Sequence, residues 1–180
     1  FINFKKKYTK EKFNLFRIFK EINSMMIAHI GFGILILGIT GSSIWQIEKI
    51  SRMKVSDQIN IKDYRIVFTD INKKTGQNYI SIQGQFTIYN QNNDIIKILE
   101  PENRFYITTN NSTNEVSIHS NLIRDLYIVM GDDDKLGYGR TVRVYYNPLV
   151  LWIWIGSFLI FLGGLIALKN NLKILRTNYQ

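Results

Sequence analysis

Cysteine is absent from this chain of 180 residues, and only two histidines are present, His29 and His119. The lack of cysteine excludes disulfides, zinc–thiolate sites, iron–sulfur clusters and a thiol nucleophile within the chain. It does not identify a cellular compartment, because many domains outside the cytoplasm also lack disulfides. Neither histidine has a second histidine beside it in the sequence, so a self-contained metal site is not expected.

A basic face on the central segment is also lacking, although the net charge of the whole chain is +9. Residues 1–24 carry a net charge of +5 and residues 169–180 carry +3, whereas residues 46–147 carry only +1. A nucleic-acid-binding domain would place its excess charge on its folded surface. The basic tails instead flank two apolar runs, which is the positive-inside pattern of an inner-membrane protein. We therefore expect no nucleic-acid partner.

The two apolar runs are each long enough to cross a bilayer. The first, residues 25–45, contains one ionisable side chain, and the second, residues 148–168, contains none. About 20 apolar residues span ~30 Å of hydrocarbon. Both tails should face the cytoplasm, so residues 46–147 should form a periplasmic domain. Trp45, Tyr145, Tyr146, Trp152 and Trp154 would form an aromatic belt on that outer side. A cleaved signal peptide is the less favoured alternative for the first run.

The first 24 residues are predicted to be a basic cytoplasmic segment. Within it, "FNLFRIFKEI" spaces Phe13, Phe16 and Phe19 at helical intervals, with basic residues between them. This spacing is typical of an amphipathic helix on the inner leaflet. A connector helix packed on other membrane helices fits the pattern equally well. The last segment, residues 169–180, is predicted to be a basic cytoplasmic tail.

The central segment has the composition of a small all-β domain. Seven runs rich in Ile, Val, Tyr, Phe and Thr, including "NYISIQGQFTIYN" and "DLYIVMG", are separated by turn-forming stretches such as "NKKTGQN", "NNSTN" and "GDDDKLGYG". The region "IEKISRMKVSDQINI" is a weaker strand prediction. These runs predict an antiparallel barrel or sandwich. The triple aspartate lacks the spacing of a calcium loop, so a solvated hairpin is expected there.

His29 is the residue in the first run that invites a functional interpretation. An ionisable side chain in a spanning helix is costly, and such residues usually face a bundle interior and have a task. Gly33 lies one turn further on, and Ile36 and Thr40 continue the same helical face. Imidazole is the commonest axial ligand of haem iron, and a glycine beside it leaves room for a flat porphyrin. A neutral histidine bonded to a neighbouring helix is the alternative. His119 is read as polar surface.

The order of several motifs resembles the C-terminal end of the CcmF family of cytochrome c maturation proteins. The resemblance is carried by "MMIAHIGFGILILGITGSS", "NYI", "PENRFY", "TNEVSI", "RDLYIVMGDD" and "VRVYYNPLVLWIWIGSFLIFLGGLIAL", which together cover about residues 25–168. The resemblance implies a cytochrome c haem lyase component that takes part in attaching haem to apocytochrome c at the outer face of the membrane. It also implies a membrane haem b held by two histidines on different spans. The "AHIG" stretch places His29 at one of those two axial positions.

The resemblance also implies what must come from elsewhere. The family's tryptophan-rich outer loop, its two flanking outer histidines and the partner axial histidine do not occur in these 180 residues. We therefore expect the chain to act with the remaining transmembrane part of the protein, a haem chaperone, apocytochrome c-presenting subunits and membrane lipids, and not to be catalytic alone. Arg104, Tyr106, Tyr127 and Arg143 are candidate contact residues, although fold maintenance is the favoured role. A structural or sensory two-span protein without haem is the alternative function.

Overall fold

The computed structural model describes residues 23–133 and 138–178, and the side chains of these as far as residue 169. The elements in chain order are α1 Ser24–Ile44, β1 Ile47–Met53, β2 Gln58–Ile61, β3 Tyr64–Thr75, β4 Tyr79–Tyr89, β5 Ile95–Leu99, β6 Glu102–Tyr106, β7 Asn111–Glu115, β8 Ser117–Ser120, β9 Arg124–Asp133, β10 Arg140–Pro148 and α2 Val150–Asn178. The predicted amphipathic segment before α1 lies outside the described residues.

The strands form two antiparallel sheets. One has four strands in the order β1-β10-β9-β8, and the other has six, in the order β2-β3-β4-β6-β7 with β5 also paired to β4. Inward-facing residues alternate with outward-facing ones along β9 and β10, as expected for strands with one face on a core. The predicted fold class is thus confirmed as two apolar helices flanking a β-sandwich.

An apolar core lies between the two sheets. Phe68 and Phe86 are paired across β3 and β4, and their rings stack with centroids 4.5 Å apart. Gly84 permits this packing, because a Cβ there would lie 2.6 Å from the Met130 sulfur. The large apolar side chains that are fully buried in the described part of the chain are Met53, Ile61, Ile66, Phe68, Phe86, Ile88, Leu99, Leu126, Ile128, Met130, Val142 and Val144.

One predicted turn is wrong, and a predicted hairpin turn begins later than expected. "NNSTN" was expected to be a turn, but Asn111–Glu115 is strand β7, paired with β6 along its whole length. Its side chains are mostly exposed, so backbone hydrogen bonds and the side-chain bond from Asn103 Nδ2 to Asn114 Oδ1 (2.6 Å) hold it in place. Asp132 and Asp133, expected in a solvated hairpin, are the last residues of β9, while Asp134 lies outside the described residues.

The helices are apolar along Ser24–Ile44 and Val150–Lys169, and both stretches are long enough to cross a membrane. Contacts divide the described residues into two units, one comprising those up to residue 33 and from residue 156 onward and the other comprising those from 34 to 155. In the first unit, Gly31 packs so closely on α2 that an added Cβ would lie 2.8 Å from the Gly156 carbonyl oxygen. In the second unit, Gly38 approaches the Ile153 backbone in the same way, at 2.7 Å.

Candidate functional site

His29 is the sixth residue of α1, and its side chain is exposed. Its Nδ1 atom lies 2.7 Å from the carbonyl oxygen of Met25, one turn earlier. A carbonyl oxygen can only accept a hydrogen bond, so Nδ1 carries the proton and donates it. In the neutral ring, Nε2 then keeps its lone pair and is free to bind a ligand. Histidines that bind metals usually have their other ring nitrogen held in this way.

The helical face around His29 is open. A Cβ added at Gly33, one turn further along α1, would meet no atom within 4 Å among the described residues. Ile36 and Thr40, which continue the same face, are also exposed. The face of α1 that carries the imidazole is therefore unobstructed among the described residues.

The opposite face of α1 packs against α2. At 100° per residue, Gly31 and Gly38 point about 140–180° away from His29 and Gly33. Those two glycines are buried, whereas His29 and Gly33 are exposed. The glycines of this helix thus fall into two groups: Gly31 and Gly38 allow close helix packing, and Gly33 leaves space beside the imidazole. The sequence pattern alone did not distinguish these two groups.

His29 provides one donor atom rather than a complete metal site. Among residues 23–133 and 138–178, no group of three or more His, Cys, Asp or Glu side chains could hold a metal ion. A single exposed imidazole would suit a metal whose remaining ligands come with a cofactor or from another segment, as in haem proteins.

His119 lies on β8 of the sandwich, where it pairs with Leu126, and it is half-buried. Burial lowers the pKa of its imidazole below the ordinary value of 6.5, and the nearby positive charges of Arg124 and Lys97 lower it further. A lowered pKa keeps the ring neutral near pH 7.

The four candidate contact residues fall on different sheets. Arg104 and Tyr106 lie on β6, where the Arg104 Nε donates to Glu102 Oε2 at 2.8 Å and its guanidinium lies 4.8 Å from the centre of the Tyr79 ring. This hydrogen bond to Glu102 raises the pKa of Arg104. The Tyr106 ring packs on Tyr79 at 5.7 Å. These contacts tie neighbouring strands together.

Tyr127 and Arg143 lie on the outer face of the four-stranded sheet. Tyr127 stacks on Tyr145 with ring centroids 4.5 Å apart, and burial raises the pKa of its phenol. Arg143 lies 3.9 Å from Glu48. An open groove of about 600 Å³ runs along this face, but its lining includes both Arg143 and Asp132. Side chains of both signs do not select a ligand of one charge.

A polar cluster that the sequence analysis missed lies where β9 begins and β10 ends. Arg124 is only 4% exposed, its Nε donates to the Tyr64 hydroxyl at 2.7 Å, and its guanidinium lies 3.9 Å from the centre of that ring. Among the described residues, Arg124 Nη1 and Asp125 Oδ1 are buried and find no hydrogen-bond partner. The turn-like "NLIRD" gave no signal that its arginine would be buried.

Comparisons with known proteins agree on one family. A family model described as the CcmF C-terminal beta-sandwich matches residues 44–148. The cytochrome c-type biogenesis protein CcmF of Escherichia coli K12 is 36% identical over 145 residues, which is 80% of this chain but 22% of that protein. CcmF of Haemophilus influenzae is 35% identical with the same coverage, and CycK of Bradyrhizobium diazoefficiens is 31% identical over 80% of this chain and 22% of its own length.

A solved structure titled cytochrome c heme lyase CcmF has the same fold, with a TM-score of 0.63 and 14% identity. The match covers 79% of this chain and 24% of that one. The chain thus spans less than a quarter of the length of the relatives that it matches.

Proposed function

This chain belongs to the CcmF family, and on that basis we propose that it is the C-terminal portion of a cytochrome c-type biogenesis protein. It takes part in haem delivery and in covalent haem attachment to apocytochrome c at the outer face of the membrane. The reaction requires parts that lie outside these 180 residues, so this chain contributes to the lyase without being catalytic alone.

The membrane placement follows from charge and hydropathy. Residues 25–45 and 148–168 cross the bacterial inner membrane, residues 46–147 fold in the periplasm, and the tails 1–24 and 169–180 lie in the cytoplasm. The net charges of +5 and +3 on the two tails support this orientation, because short basic segments are retained on the cytoplasmic side.

His29 is an axial ligand of a haem b within the membrane. The observation that carries this assignment is the exposed imidazole whose Nδ1–H is held by the Met25 carbonyl, so that Nε2 is free. The space beside Gly33 fits the edge of a porphyrin. When bound, the haem would supply electron transfer to the haem that is being attached. His29 would bind the iron, and Met25 would fix the orientation of the ring.

The second axial ligand must come from another segment. The sequence contains only one other histidine, His119, which lies on a strand of the sandwich and not in an apolar helix. The remaining transmembrane part of the protein supplies that ligand, and the haem chaperone and apocytochrome c-presenting subunits bring the two substrates.

An optical spectrum of the detergent-purified protein, co-expressed with the rest of the assembly, tests the ligand assignment. The wild type is expected to show a reduced b-type haem band that His29→Ala abolishes. His119→Ala is the matched control, since it removes the other histidine and should leave the band unchanged. Equal haem in wild type and His29→Ala, with both proteins stable, would show that His29 is not a ligand.

A second pair of variants tests the space beside the imidazole. Gly33→Leu should reduce the haem content, because the new side chain would occupy the free volume one turn from His29. Gly164→Leu is the control, since Gly164 on α2 is equally open, with no atom within 4 Å of an added Cβ. If neither variant loses haem, the cofactor does not lie against Gly33. If the intact assembly never contains haem, a structural role without haem is the better account.

A further inference from the structure

We propose that the loop between β8 and β9 inserts two aliphatic side chains, Leu122 and Ile123, into the outer leaflet of the membrane. These consecutive residues are 59% and 66% exposed, although they lie in a short, well-bonded turn. Two large aliphatic side chains displayed together at the tip of a turn are expected to meet an apolar phase. The two side chains would contact lipid at the level where the headgroups meet the acyl chains. The inference rests on the proposal that α2 crosses the membrane.

Backbone polar groups of the loop are hydrogen-bonded within the protein, as a medium with little water requires. Asn121 Oδ1 accepts hydrogen bonds from the backbone N–H groups of Ile123 (2.9 Å) and Arg124 (2.8 Å). The Asn121 N–H in turn donates to the Arg124 carbonyl at 2.9 Å. Unpaired backbone groups are costly in lipid, so a loop can enter it only if such groups are satisfied within the protein.

The loop is also bonded to the first turn of α2. The backbone N–H of Leu149 donates to the Ile123 carbonyl at 2.8 Å, and Trp152 Nε1 donates to the Leu122 carbonyl at 2.9 Å. Tryptophan at the end of an apolar span marks the membrane interface, where its N–H usually finds a polar partner. Here that partner is the loop itself, which places Leu122 at the depth of Trp152.

The nearest charge is kept away from the tip of the loop. Arg124 follows the two aliphatic residues, yet it is buried and bonded to Tyr64 inside the sandwich. The arginine next to the apolar pair therefore does not extend into the surroundings of the tip, where its charge would oppose transfer into lipid.

Depth-dependent fluorescence quenching tests the proposal, and the absence of cysteine allows a single label to be placed in the complete chain. Leu122→Cys and, as a second site, Ile123→Cys are labelled with an environment-sensitive fluorophore. The chain is then reconstituted into phosphatidylcholine–phosphatidylglycerol vesicles with lipids brominated near the top of the acyl chain, which report on the loop, or, in a second series, near its end, which report on Phe158. Two controls have similar exposure: Phe158→Cys on α2 (59%) and Ile107→Cys after β6 (60%).

The expected result is a blue-shifted emission and loss of intensity at Leu122 and Ile123, as at Phe158, with no quenching at Ile107. If Leu122 and Ile123 behave like Ile107 while Phe158 is quenched, the loop is outside the lipid and the proposal is wrong. A blue shift without quenching by brominated lipid would show that protein covers the loop instead, which also overturns it. If Phe158 itself is quenched by neither lipid, the proposed membrane crossing fails together with the loop.

Discussion

Replacing Gly31 by alanine should weaken the packing of α1 on α2, whereas the same change at Gly33, two residues away, should not. At Gly31 an added Cβ would lie 2.8 Å from three atoms of α2, namely the Gly156 carbonyl oxygen, the Ile160 nitrogen and the Leu159 Cβ. Two of these are backbone atoms, so the contact can be relieved only by moving the helices apart. At Gly33 the added Cβ meets nothing within 4 Å.

The sizes of the two effects follow from this difference. Overpacking a tight contact typically costs about 1–3 kcal/mol, so Gly31→Ala should lower the free energy of unfolding by that amount. Alanine has a higher helix propensity than glycine by up to ~1 kcal/mol, so Gly33→Ala should be neutral or slightly stabilising. Gly163→Ala and Gly164→Ala form a second pair on α2, because Gly163 is crowded at 2.8 Å by Ser24 and Ala28 and Gly164 is open.

The assay is unfolding of the detergent-solubilised chain by increasing SDS, followed by intrinsic fluorescence. The three tryptophans, Trp45, Trp152 and Trp154, all lie within or directly beside the helices, so their emission reports on the helices rather than on the sandwich. Equal midpoints for Gly31→Ala and Gly33→Ala would refute the reasoning, since the two substitutions differ only in which face of α1 they occupy.

Three further predictions concern the sandwich, and each can be measured by chemical denaturation of the chain in detergent, followed by circular dichroism of the β structure. Phe86→Ala should lower the free energy of unfolding by about 3–5 kcal/mol, because it removes a fully buried ring from the core; a loss below about 1 kcal/mol would contradict that placement. Tyr64→Phe should cost about 1.5–3 kcal/mol, because the buried Arg124 guanidinium loses its hydroxyl acceptor; no change would mean that water replaces the hydroxyl. His119 should titrate below pH 6.5 by NMR, and because the unfolded state then binds the proton more tightly, stability should fall as the pH drops through 6.5. His119→Gln should remove that part of the pH dependence, and an unchanged profile would assign it to other groups.

Hydrophobic patterning predicted most of the fold, because the positions of apolar residues in the two long runs and in the alternating strands reflect which side chains are removed from water. "DLYIVMG" and "TVRVYYNP" alternate in sequence, and β9 and β10 alternate in burial. Strand β7 escaped prediction because it lies at the edge of its sheet with exposed polar side chains, so its hydrogen bonds to β6, rather than burial, define it. A strand of that kind has no alternation of apolar and polar side chains from which it could be predicted.

The candidate site was predictable in part. His29 stands out because it is the only ionisable residue in an apolar run, and helical periodicity places Gly33 on its face. Which nitrogen of the imidazole is free depends on the bond to Met25, which required coordinates. Arg124 was missed because burial of a cation depends on Tyr64, 60 residues earlier in the sequence.

The pairing of β1 with β10 constrains how α1 is rotated about its own axis. β1 begins only two residues after α1 ends and pairs with β10 from Ile47 opposite Tyr146, while β10 leads directly into α2. One residue inserted at the end of α1 would turn the helix by about 100° relative to that fixed strand pair. Gly38 would then leave the Ile153 backbone and a bulkier side chain would take its place. The sandwich therefore sets the angle at which the C-terminal half of α1 meets α2, and the junction should not tolerate changes in length.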